Sequence, residues 1–152
     1  MITYAIGVCD EARELNDLLR FIHEVKDADD EINILVDSGK VTDAVRDVLK
    51  KYGDTLNVHE RIFDGDFSAH RNHHITKCSG DYIFMLDADE IPQEFLIRKV
   101  KDFKGDIMYV PRINICPGYT QAFIKKHNFN TNNMGWINWP DFQTRIIKNV
   151  ST

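Results

Sequence analysis

The sequence predicts an α/β fold with a mainly parallel central sheet flanked by helices. Short apolar runs rich in β-branched and aromatic residues, such as Ile2–Val8, alternate with longer segments whose apolar residues recur at helical spacing. Such alternation favours parallel strands joined by right-handed helical crossovers. In the run Tyr82–Leu86 no polar residue interrupts the apolar ones. We therefore expect both faces of this strand to be covered, as in the middle of a sheet.

The elements between the first strand and residue 53 follow from helical periodicity and capping. In Glu11–Lys26, apolar residues recur at helical spacing, acidic residues occupy the first turn and a lysine the last, which suits the helix dipole. Ile32–Val36 is a second apolar strand. The next helix has its N-cap at Thr42 or Asp43 and ends at Gly53, because glycine tolerates the left-handed conformation.

The middle of the chain continues the alternation. Leu56–Phe63 alternates apolar and polar residues, which predicts a half-exposed strand near a sheet edge. A helix is predicted at Ser68–Ser79, capped by Ser68 and terminated by Gly80. Pro92 suits the first turn of a further helix. The residues expected on the buried side of that helix are Phe95, Leu96, Val100 and Phe103.

The last third of the chain is less regular. Asp106–Ile115 and Gln143–Lys148 have the composition of strands. Between them, residues 111–140 are rich in Asn, Gly, Pro and aromatic residues and show no clear periodicity. This segment is typical of a long functional loop or lid.

Composition excludes several classes of protein. The 152 residues, 43% of them hydrophobic, suit a single globular domain. A net charge of -5 argues against broad nucleic-acid binding. No apolar run approaches the ~20 residues of a membrane span, and the N-terminus has no signal-peptide pattern. Cys9, Cys78 and Cys116 lie far apart, without the spacing of a disulfide framework. We therefore expect a cytoplasmic protein without a transmembrane segment.

Carboxylates follow three of the predicted strands. They are Asp10 and Glu11 after the first, Asp37 after the second, and Asp87, Asp89 and Glu90 after the fourth. The carboxyl ends of parallel strands lie at one edge of the sheet, where such sheets bind ligands. Asp87 and Asp89 would repel each other unless a cation or a proton lay between them, and their hard oxygens suit Mg²⁺ or Mn²⁺.

Other polar motifs are expected to be structural. Asp-x-Asp also occurs at Asp27 and at Asp64, but neither copy follows an apolar strand, so both are interpreted as solvated turns. His70, His73 and His74 could share one face of a helix, and the i, i+4 spacing of His70 and His74 resembles that of two zinc ligands. Because the context of a third ligand is absent, exposed or hydrogen-bonded histidines are favoured over zinc.

Taken in order, these motifs resemble family 2 glycosyltransferases of the GT-A fold. The resemblance rests on the carboxylates after the three strands, the Asp37-Ser38-Gly39 turn followed by Thr42, the segment from Phe67 to Asn72, and the segment from Gly80 to Glu90. It covers roughly the first 95 residues well, and its specificity comes from several motifs in the right order. It implies a single GT-A-like domain, with a nucleotide-sugar and metal-binding half at 1–90 and an acceptor-side half at 91–152. The chain resembles a minimal or C-terminally truncated member, because it ends before a further His-Glu-type motif.

The resemblance also implies roles for individual residues. Asp37 would hold the base or ribose of a nucleotide sugar, and Arg71 would approach the diphosphate or the base. Asp87 would contact the ribose or the metal, and Asp89 would be the main metal ligand. Further substrate-binding positions are Asp10, Glu11 and Trp139. Cys9 departs from the family pattern, which often has Asn there.

The acceptor side depends on a carboxylate base and on aromatic side chains. Inverting transfer needs a carboxylate within reach of the acceptor hydroxyl, and Asp141 is the best candidate, followed by Glu90. The aromatic residues of the irregular segment either stack on an acceptor sugar or close the core beneath the loop. They are Tyr119, Phe123, Phe129, Trp136 and Trp139.

The function predicted from the sequence is metal-dependent glycosyl transfer. A hexosyl or related group would move from a nucleotide-diphosphate donor, with a UDP-sugar as the first expectation, to the hydroxyl of a saccharide or other acceptor. Inversion is implied because family 2 members invert, and the cofactor would be Mn²⁺ or Mg²⁺. One alternative is a nucleotidyltransferase, which normally has a Gly-rich basic loop where this chain has Cys9–Glu14. The other alternative is a non-catalytic nucleotide-sugar-binding module.

Overall fold

A computed structural model describes residues 1–150 of the chain. Six strands are formed: β1 (Ile2–Val8), β2 (Glu31–Asp37), β3 (Asn57–Arg61), β4 (Tyr82–Asp87), β5 (Ile107–Asn114) and β6 (Ile137–Lys148). The helices of these residues are α1 (Ala12–Val25), α2 (Asp43–Tyr52), α3 (Phe67–Ile75), α4 (Glu94–Asp102) and α5 (Gln121–Lys126). No helix in this part of the chain is both long and apolar enough to cross a membrane.

The strands form one sheet in the order β3-β2-β1-β4-β6-β5. β1 is parallel to both β2 and β4, β2 is parallel to β3, and β4 is antiparallel to β6. This order confirms the predicted mainly parallel α/β sheet. It also places β3 at one edge of the sheet, as its alternating sequence predicted.

The chain divides into two compact units. The first contains Met1–Asp106 together with the chain from Ile146 onward, and the second is Ile107–Arg145. β6 therefore begins in the second unit and ends in the first. The expected division into a nucleotide-sugar and metal-binding half at 1–90 and an acceptor-side half at 91–152 concerns function, and it stays a prediction.

The core of the first unit lies between the central strands and α1. Tyr4 and Ile6 of β1 are fully buried, and so are the apolar residues of α1 that recur at helical spacing. Those residues are Leu15, Leu18, Leu19 and Ile22. Each such burial contributes about 1.5–3 kcal/mol, so this packing fixes the strands whose ends form the site.

A polar network joins the end of α3 and the segment after it to the amino-terminal ends of β1 and β2. The Glu31 carboxylate accepts hydrogen bonds from the hydroxyl of Thr3 (2.5 Å), the amide of Ser79 (2.9 Å) and the side chain of Asn57 (2.7 Å). Burial alone would raise the pKa of Glu31, but these hydrogen bonds lower it overall. His74 of α3 is buried, with Nε2 at 3.2 Å from Oδ1 of Asn33, and burial lowers the pKa of its imidazole to about 4. His74 is therefore a neutral, hydrogen-bonded core histidine.

The boundaries of α3 differ from the prediction. Its N-cap is Asp66, whose carboxylate accepts the amide of Ala69 at 2.9 Å, whereas Ser68 lies inside the first turn. Asp and Ser are comparable caps, and the turn that precedes the helix decides between them. Gly80 lies beyond the end of the helix, and its small size serves packing instead: a Cβ there would lie 2.7 Å from the backbone nitrogen of Thr3.

The buried face of α4 matches the prediction at Val100 and differs from it at Phe95. Ile97 and Val100 are buried, whereas Phe95 is 65% exposed. The helix begins at Glu94 with Gln93 as its N-cap, so Pro92 precedes the helix instead of lying in its first turn.

The segment 111–140 is more ordered than the predicted loop or lid. It contains the end of β5, the start of β6, and α5, whose N-cap Thr120 accepts the amide of Phe123 at 3.2 Å. A helix of six residues shows too few apolar repeats to be recognised by periodicity.

Candidate functional site

The candidate site lies where β1, β2 and β4 end. The strand register pairs Gly7 of β1 with Asp87 of β4 and pairs Val8 with Val36 of β2, so the three ends lie at one edge. Asp37 and Asp87 are the last residues of the strands on either side of β1, which separates them by two strand spacings, or roughly 10 Å. This edge is wide enough for a ligand of nucleotide size to contact both carboxylates.

Asp89 occupies the tip of the turn that follows β4. The amide of Ala88 donates to the carbonyl of Gly7 at 3.1 Å, and the amide of Glu90 donates to the carbonyl of Asp87 at 3.0 Å. The Asp87 amide in turn donates to Oε2 of Glu90 at 3.3 Å. Because these bonds and the burial of Ala88 hold the turn in place, the exposed Asp89 projects its carboxylate into solvent.

Arg71 of α3 lies against the same turn. Its Nη2 is 3.3 Å from Oδ1 of Asp87, and both side chains are about half exposed. An ion pair of this exposure contributes about 0–1 kcal/mol, so it can exchange partners at low cost. A guanidinium has five N–H donors, and a bound anion can therefore be contacted while Arg71 remains beside Asp87.

Asp37 is the most buried carboxylate at this edge, with 7% of its surface exposed. Its Oδ1 accepts the amides of Gly39 and Phe63, each at 3.0 Å, which ties the turn after β2 to the segment after β3. Both bonds use the same oxygen. Oδ2 is therefore the oxygen that can accept a hydrogen bond from a ligand.

The two carboxylates after β1 differ in their contacts. Oε2 of Glu11 accepts the amides of Cys9 (2.9 Å) and Asp10 (3.0 Å), which closes the loop that leads into α1. The Asp10 side chain is exposed. Glu11 therefore shapes the loop, and Asp10 is the more accessible of the two.

Three rings that were not predicted to belong to the site form a cluster around Phe63, whose backbone amide donates to Asp37. Phe63, Phe67 and His70 form an aromatic cluster, with ring centroids 4.5 Å apart for Phe63 and Phe67 and 5.4 Å apart for Phe63 and His70. Nδ1 of His70 is buried without a hydrogen-bond partner among the described residues, and burial followed by the charge of Arg61 lowers the pKa of this imidazole. The sequence signal was an aromatic residue directly after the Asp-Gly-Asp turn, where a solvated turn would have been polar.

Asp87 and Asp89 are the residues that could hold a divalent ion. Within residues 1–150, no group of three or more His, Cys, Asp or Glu side chains is arranged to hold a metal. Mg²⁺ is commonly bound by one or two carboxylates together with substrate phosphates and water. The two carboxylates therefore fit an ion that shares its ligands with a bound phosphate, and they do not fit a closed all-protein cage.

The second unit holds the remaining predicted site residues. Oδ2 of Asp141 accepts hydrogen bonds from Nη2 of Arg112 at 2.8 Å and from Nδ2 of Asn114 at 3.0 Å. Oδ1 accepts a hydrogen bond from Nε2 of Gln143 at 2.7 Å. The bonds from Asn114, Gln143 and Arg112 together lower the pKa of Asp141, although partial burial opposes them. Asp141 is therefore ionised and engaged by three neighbours.

Trp139 lies on the same strand as Asp141. Trp139 as a residue is 38% exposed, and its ring packs edge-to-face with that of Trp136, at 5.0 Å between centroids. The exposed part of the ring is available to a ligand. Elsewhere in this unit, Phe123, His127 and Phe129 pack on one another, and Phe123 and Phe129 have centroids 6.0 Å apart. These rings contribute to local packing.

Comparison with solved structures defines the fold as the one shared by GT-A glycosyltransferases. The chain is similar to the mannosyltransferase PcManGT from Pyrobaculum calidifontis in complex with GDP-Man and Mn²⁺, with 15% identity, a TM-score of 0.61, and 75% of this chain and 35% of that chain covered. It is similar to S. aureus TarS 1–349, with 14% identity, a TM-score of 0.65, and coverage of 97% and 47%. A third similar structure is 4-diphosphocytidyl-2C-methyl-D-erythritol synthase from Anaerococcus prevotii, with 12% identity, a TM-score of 0.58, and coverage of 98% and 70%.

The sequence comparison identifies the family. The model of Glycosyl transferase family 2 matches residues 6–149, so the chain belongs to that family. No curated protein sequence matches the chain significantly. The chain spans about a third to a half of the length of the two glycosyltransferase structures described above, at 35% and 47%.

Proposed function

We propose that this chain binds a nucleotide-diphosphate sugar and transfers the sugar to an acceptor hydroxyl with inversion, using Mn²⁺ or Mg²⁺. The observation that supports this function most is the placement of Arg71 and Asp87 in contact, beside the exposed Asp89, at the carboxyl edge of a family 2 domain. A cationic donor and two hard anionic ligands side by side suit a phosphate and its counter-ion.

The chemistry of transfer explains why both charges are needed. As the anomeric bond breaks, negative charge accumulates on the departing nucleoside diphosphate, and preorganised positive charge lowers that barrier. The divalent ion, when bound, would supply Lewis-acid stabilisation of the phosphate oxygens. Arg71 would donate its remaining N–H groups to the same diphosphate while Asp87 keeps the guanidinium in position.

The donor would lie along the strand ends, with its nucleoside toward β2. Asp37 Oδ2 would accept a hydroxyl of the ribose or an N–H of the base, and Asp10 would be an accessible neighbour after β1. Glu11 would act on substrate binding through the loop that it closes. PcManGT was crystallised with GDP-Man and TarS with UDP-GlcNAc, so donors with both bases need to be tested.

The acceptor would be a saccharide or another hydroxyl compound. Trp139 would stack on the apolar side of a sugar ring through its exposed face. The carboxylate base would be Asp141 or Glu90. A base must have an oxygen available to the hydroxyl and a pKa suited to the working pH.

A second candidate function is nucleotidyl transfer. The observation that favours it is the fold similarity to the diphosphocytidyl-methylerythritol synthase, of which this chain covers 70%. The loop after β1 disfavours it, because Cys9–Glu14 is neither Gly-rich nor basic overall. Release of pyrophosphate from a nucleoside triphosphate would support nucleotidyl transfer, whereas release of nucleoside diphosphate from a nucleotide sugar would support glycosyl transfer. A non-catalytic binding module would release neither.

The test is calorimetric titration of the chain with UDP and GDP, with and without Mn²⁺. We expect binding of at least one nucleotide to be strengthened by Mn²⁺, and Asp89→Asn to abolish that strengthening, because it removes the proposed metal ligand. Asp29→Asn is the matched control, since it alters an exposed residue of another Asp-x-Asp motif and should leave binding unchanged. Nucleotide affinity that changes neither with Mn²⁺ nor with Asp89→Asn would contradict the proposed site.

A further inference from the structure

Phe67 is an aromatic residue whose ring lies mostly in solvent. It is 70% exposed, although it is in contact with Phe63 through one side of its ring. Isolated apolar side chains on a surface are common and need no explanation. Phe67, however, does not stand alone, because Ile62 of the same segment is 68% exposed.

One of these two exposed apolar side chains, Ile62, lies beside the buried carboxylate of Asp37. Ile62 Cγ2 would lie 3.5 Å from a Cβ built on Gly39, and the same Cβ would lie 3.2 Å from Oδ1 of Asp37. The backbone of Phe63, between Ile62 and the helix that begins at Phe67, donates to that same oxygen. Apolar surface and a hydrogen-bond acceptor are therefore combined within a few residues.

Phe67 also shares a helix face with Arg71. Both belong to α3, four residues apart, and side chains at this spacing are neighbours on a helix surface, with Cβ atoms about 5–6 Å apart. Arg71 contacts Asp87 at the phosphate end of the proposed site. One face of α3 therefore runs from an exposed aromatic ring to a guanidinium.

We infer that Phe67 is a base-stacking residue, which binds the face of the donor's nucleobase while Arg71 contacts the diphosphate. This inference rests on the proposed function. A nucleobase has an apolar face and an edge that carries N–H groups, so it matches an exposed ring that packs on Phe63, whose backbone amide is bonded to the Asp37 carboxylate. A diphosphate attached through ribose matches the positive charge one helical turn further along.

The packing of the aromatic cluster positions Phe67. Phe63 packs against the Phe67 ring with the ring planes tilted by 50°, and His70 packs edge-on against Phe63. The ring of Phe67 is therefore positioned by its contact with Phe63 and still leaves most of the residue, 70%, exposed for a base. Stacking on a preformed ring selects for a planar heterocycle and tolerates both pyrimidines and purines.

The experiment compares ligands that have a base with one that lacks it. The full chain is titrated in Mn²⁺ with UDP, GDP and inorganic pyrophosphate, as wild type and as Phe67→Ala. We expect Phe67→Ala to weaken UDP and GDP binding by about tenfold, in the range of base–aromatic stacking, and to leave pyrophosphate binding unchanged. Phe67→Trp should retain nucleotide binding, because the larger ring preserves the stack.

Phe95→Ala is the matched control, since it truncates a similarly exposed phenylalanine on α4 and should leave all three affinities at the wild-type level. Thermal unfolding of Phe67→Ala should match wild type, because the ring contributes little to the core. Wild-type affinity of Phe67→Ala for UDP and GDP, or an equal loss of pyrophosphate binding, would overturn the stacking role while leaving the proposed function intact. If the wild-type chain binds neither nucleotide in Mn²⁺, the proposed function fails and the stacking role fails with it.

Discussion

At the scale of single residues, the two carboxylates proposed as the base are held differently. Asp141 accepts bonds from Arg112, Asn114 and Gln143, and those bonds lower its pKa. Glu90 accepts the amide of Asp87 at the longer distance of 3.3 Å. A low pKa makes a carboxylate a weaker proton acceptor, so Asp141 is better suited to organising its own unit than to general-base catalysis.

We therefore predict that Asp141→Asn destabilises the protein. The amide nitrogen of Asn would face N–H donors that the carboxylate now satisfies, which costs about 1–3 kcal/mol. Urea unfolding measures this loss, and titration with UDP and GDP in Mn²⁺ should give wild-type affinities. Glu90→Gln is the comparison, with an expected loss of sugar transfer at nearly unchanged stability. If Asp141→Asn instead keeps its stability and loses transfer, Asp141 is the base and the structural interpretation is wrong.

At the scale of elements, the approach to β4 depends on the absence of a side chain at Gly80. The Gly80 amide donates to the hydroxyl of Thr3 at 2.8 Å, and a Cβ at Gly80 would be too close to the Thr3 backbone, at 2.7 Å. The same hydroxyl donates to Glu31 of β2. Three neighbouring strands are thus aligned at the end opposite the site.

Gly80→Ala should accordingly be destabilising. The methyl group meets backbone atoms that cannot rotate away, and forced repacking of this kind costs about 1–3 kcal/mol. Gly7→Ala is the control, because a Cβ at Gly7 of β1 meets nothing within 4 Å. The free energy of unfolding in urea is expected to fall for Gly80→Ala only. Equal stability of the two variants would show that β1 and the segment before β4 can separate without cost.

At the scale of the whole molecule, buried neutral histidine makes stability depend on pH. The pKa of His74 is lowered from 6.5 to about 4, chiefly by burial. The unfolded chain therefore binds a proton on this side chain at a higher pH than the folded chain does. Between pH 6.5 and about 4 the free energy of unfolding therefore falls as the pH falls. Below about pH 4 the imidazole is protonated in both states, and its contribution to stability no longer changes.

We predict a loss of up to about 3 kcal/mol from His74 as the pH falls from 6.5 toward 4. The pKa values of His23, His70 and His73 are also lowered, so these residues also reduce stability as the pH falls. The variant His74→Gln therefore measures the contribution of His74 alone to the pH dependence of stability. Urea unfolding at several pH values should show a flatter dependence for His74→Gln than for wild type. His73→Gln, on the more exposed side of α3, should flatten the curve less. An unchanged slope for His74→Gln would show that the pKa of this imidazole is the same in the folded and the unfolded chain, which would contradict the lowered value.

The elements could be predicted from the sequence where they depend on neighbouring residues. Apolar runs gave the positions of β1 and β2 to within a residue at each end, and Thr42 and Gly53 bound α2 as predicted. The N-cap predicted for α3 was wrong, and on α4 the prediction failed at Phe95, which is exposed, while Val100 is buried as predicted. The carboxylates after β1, β2 and β4 could also be placed at one edge, since parallel strands end on the same side of a sheet.

The sequence by itself thus determined the α/β class, the family resemblance and the edge at which the carboxylates gather, because these follow from local periodicity and from motifs in a fixed order. Only the tertiary structure decided which of the acidic side chains are already engaged and which rings surround them. Asp37 accepts a hydrogen bond from the backbone amide of Phe63, and Gly80 packs closely against Thr3. Long stretches of chain separate the two residues of each pair. Contacts between residues so far apart leave no periodic signal in the sequence, and they exist only once the strands and helices have packed.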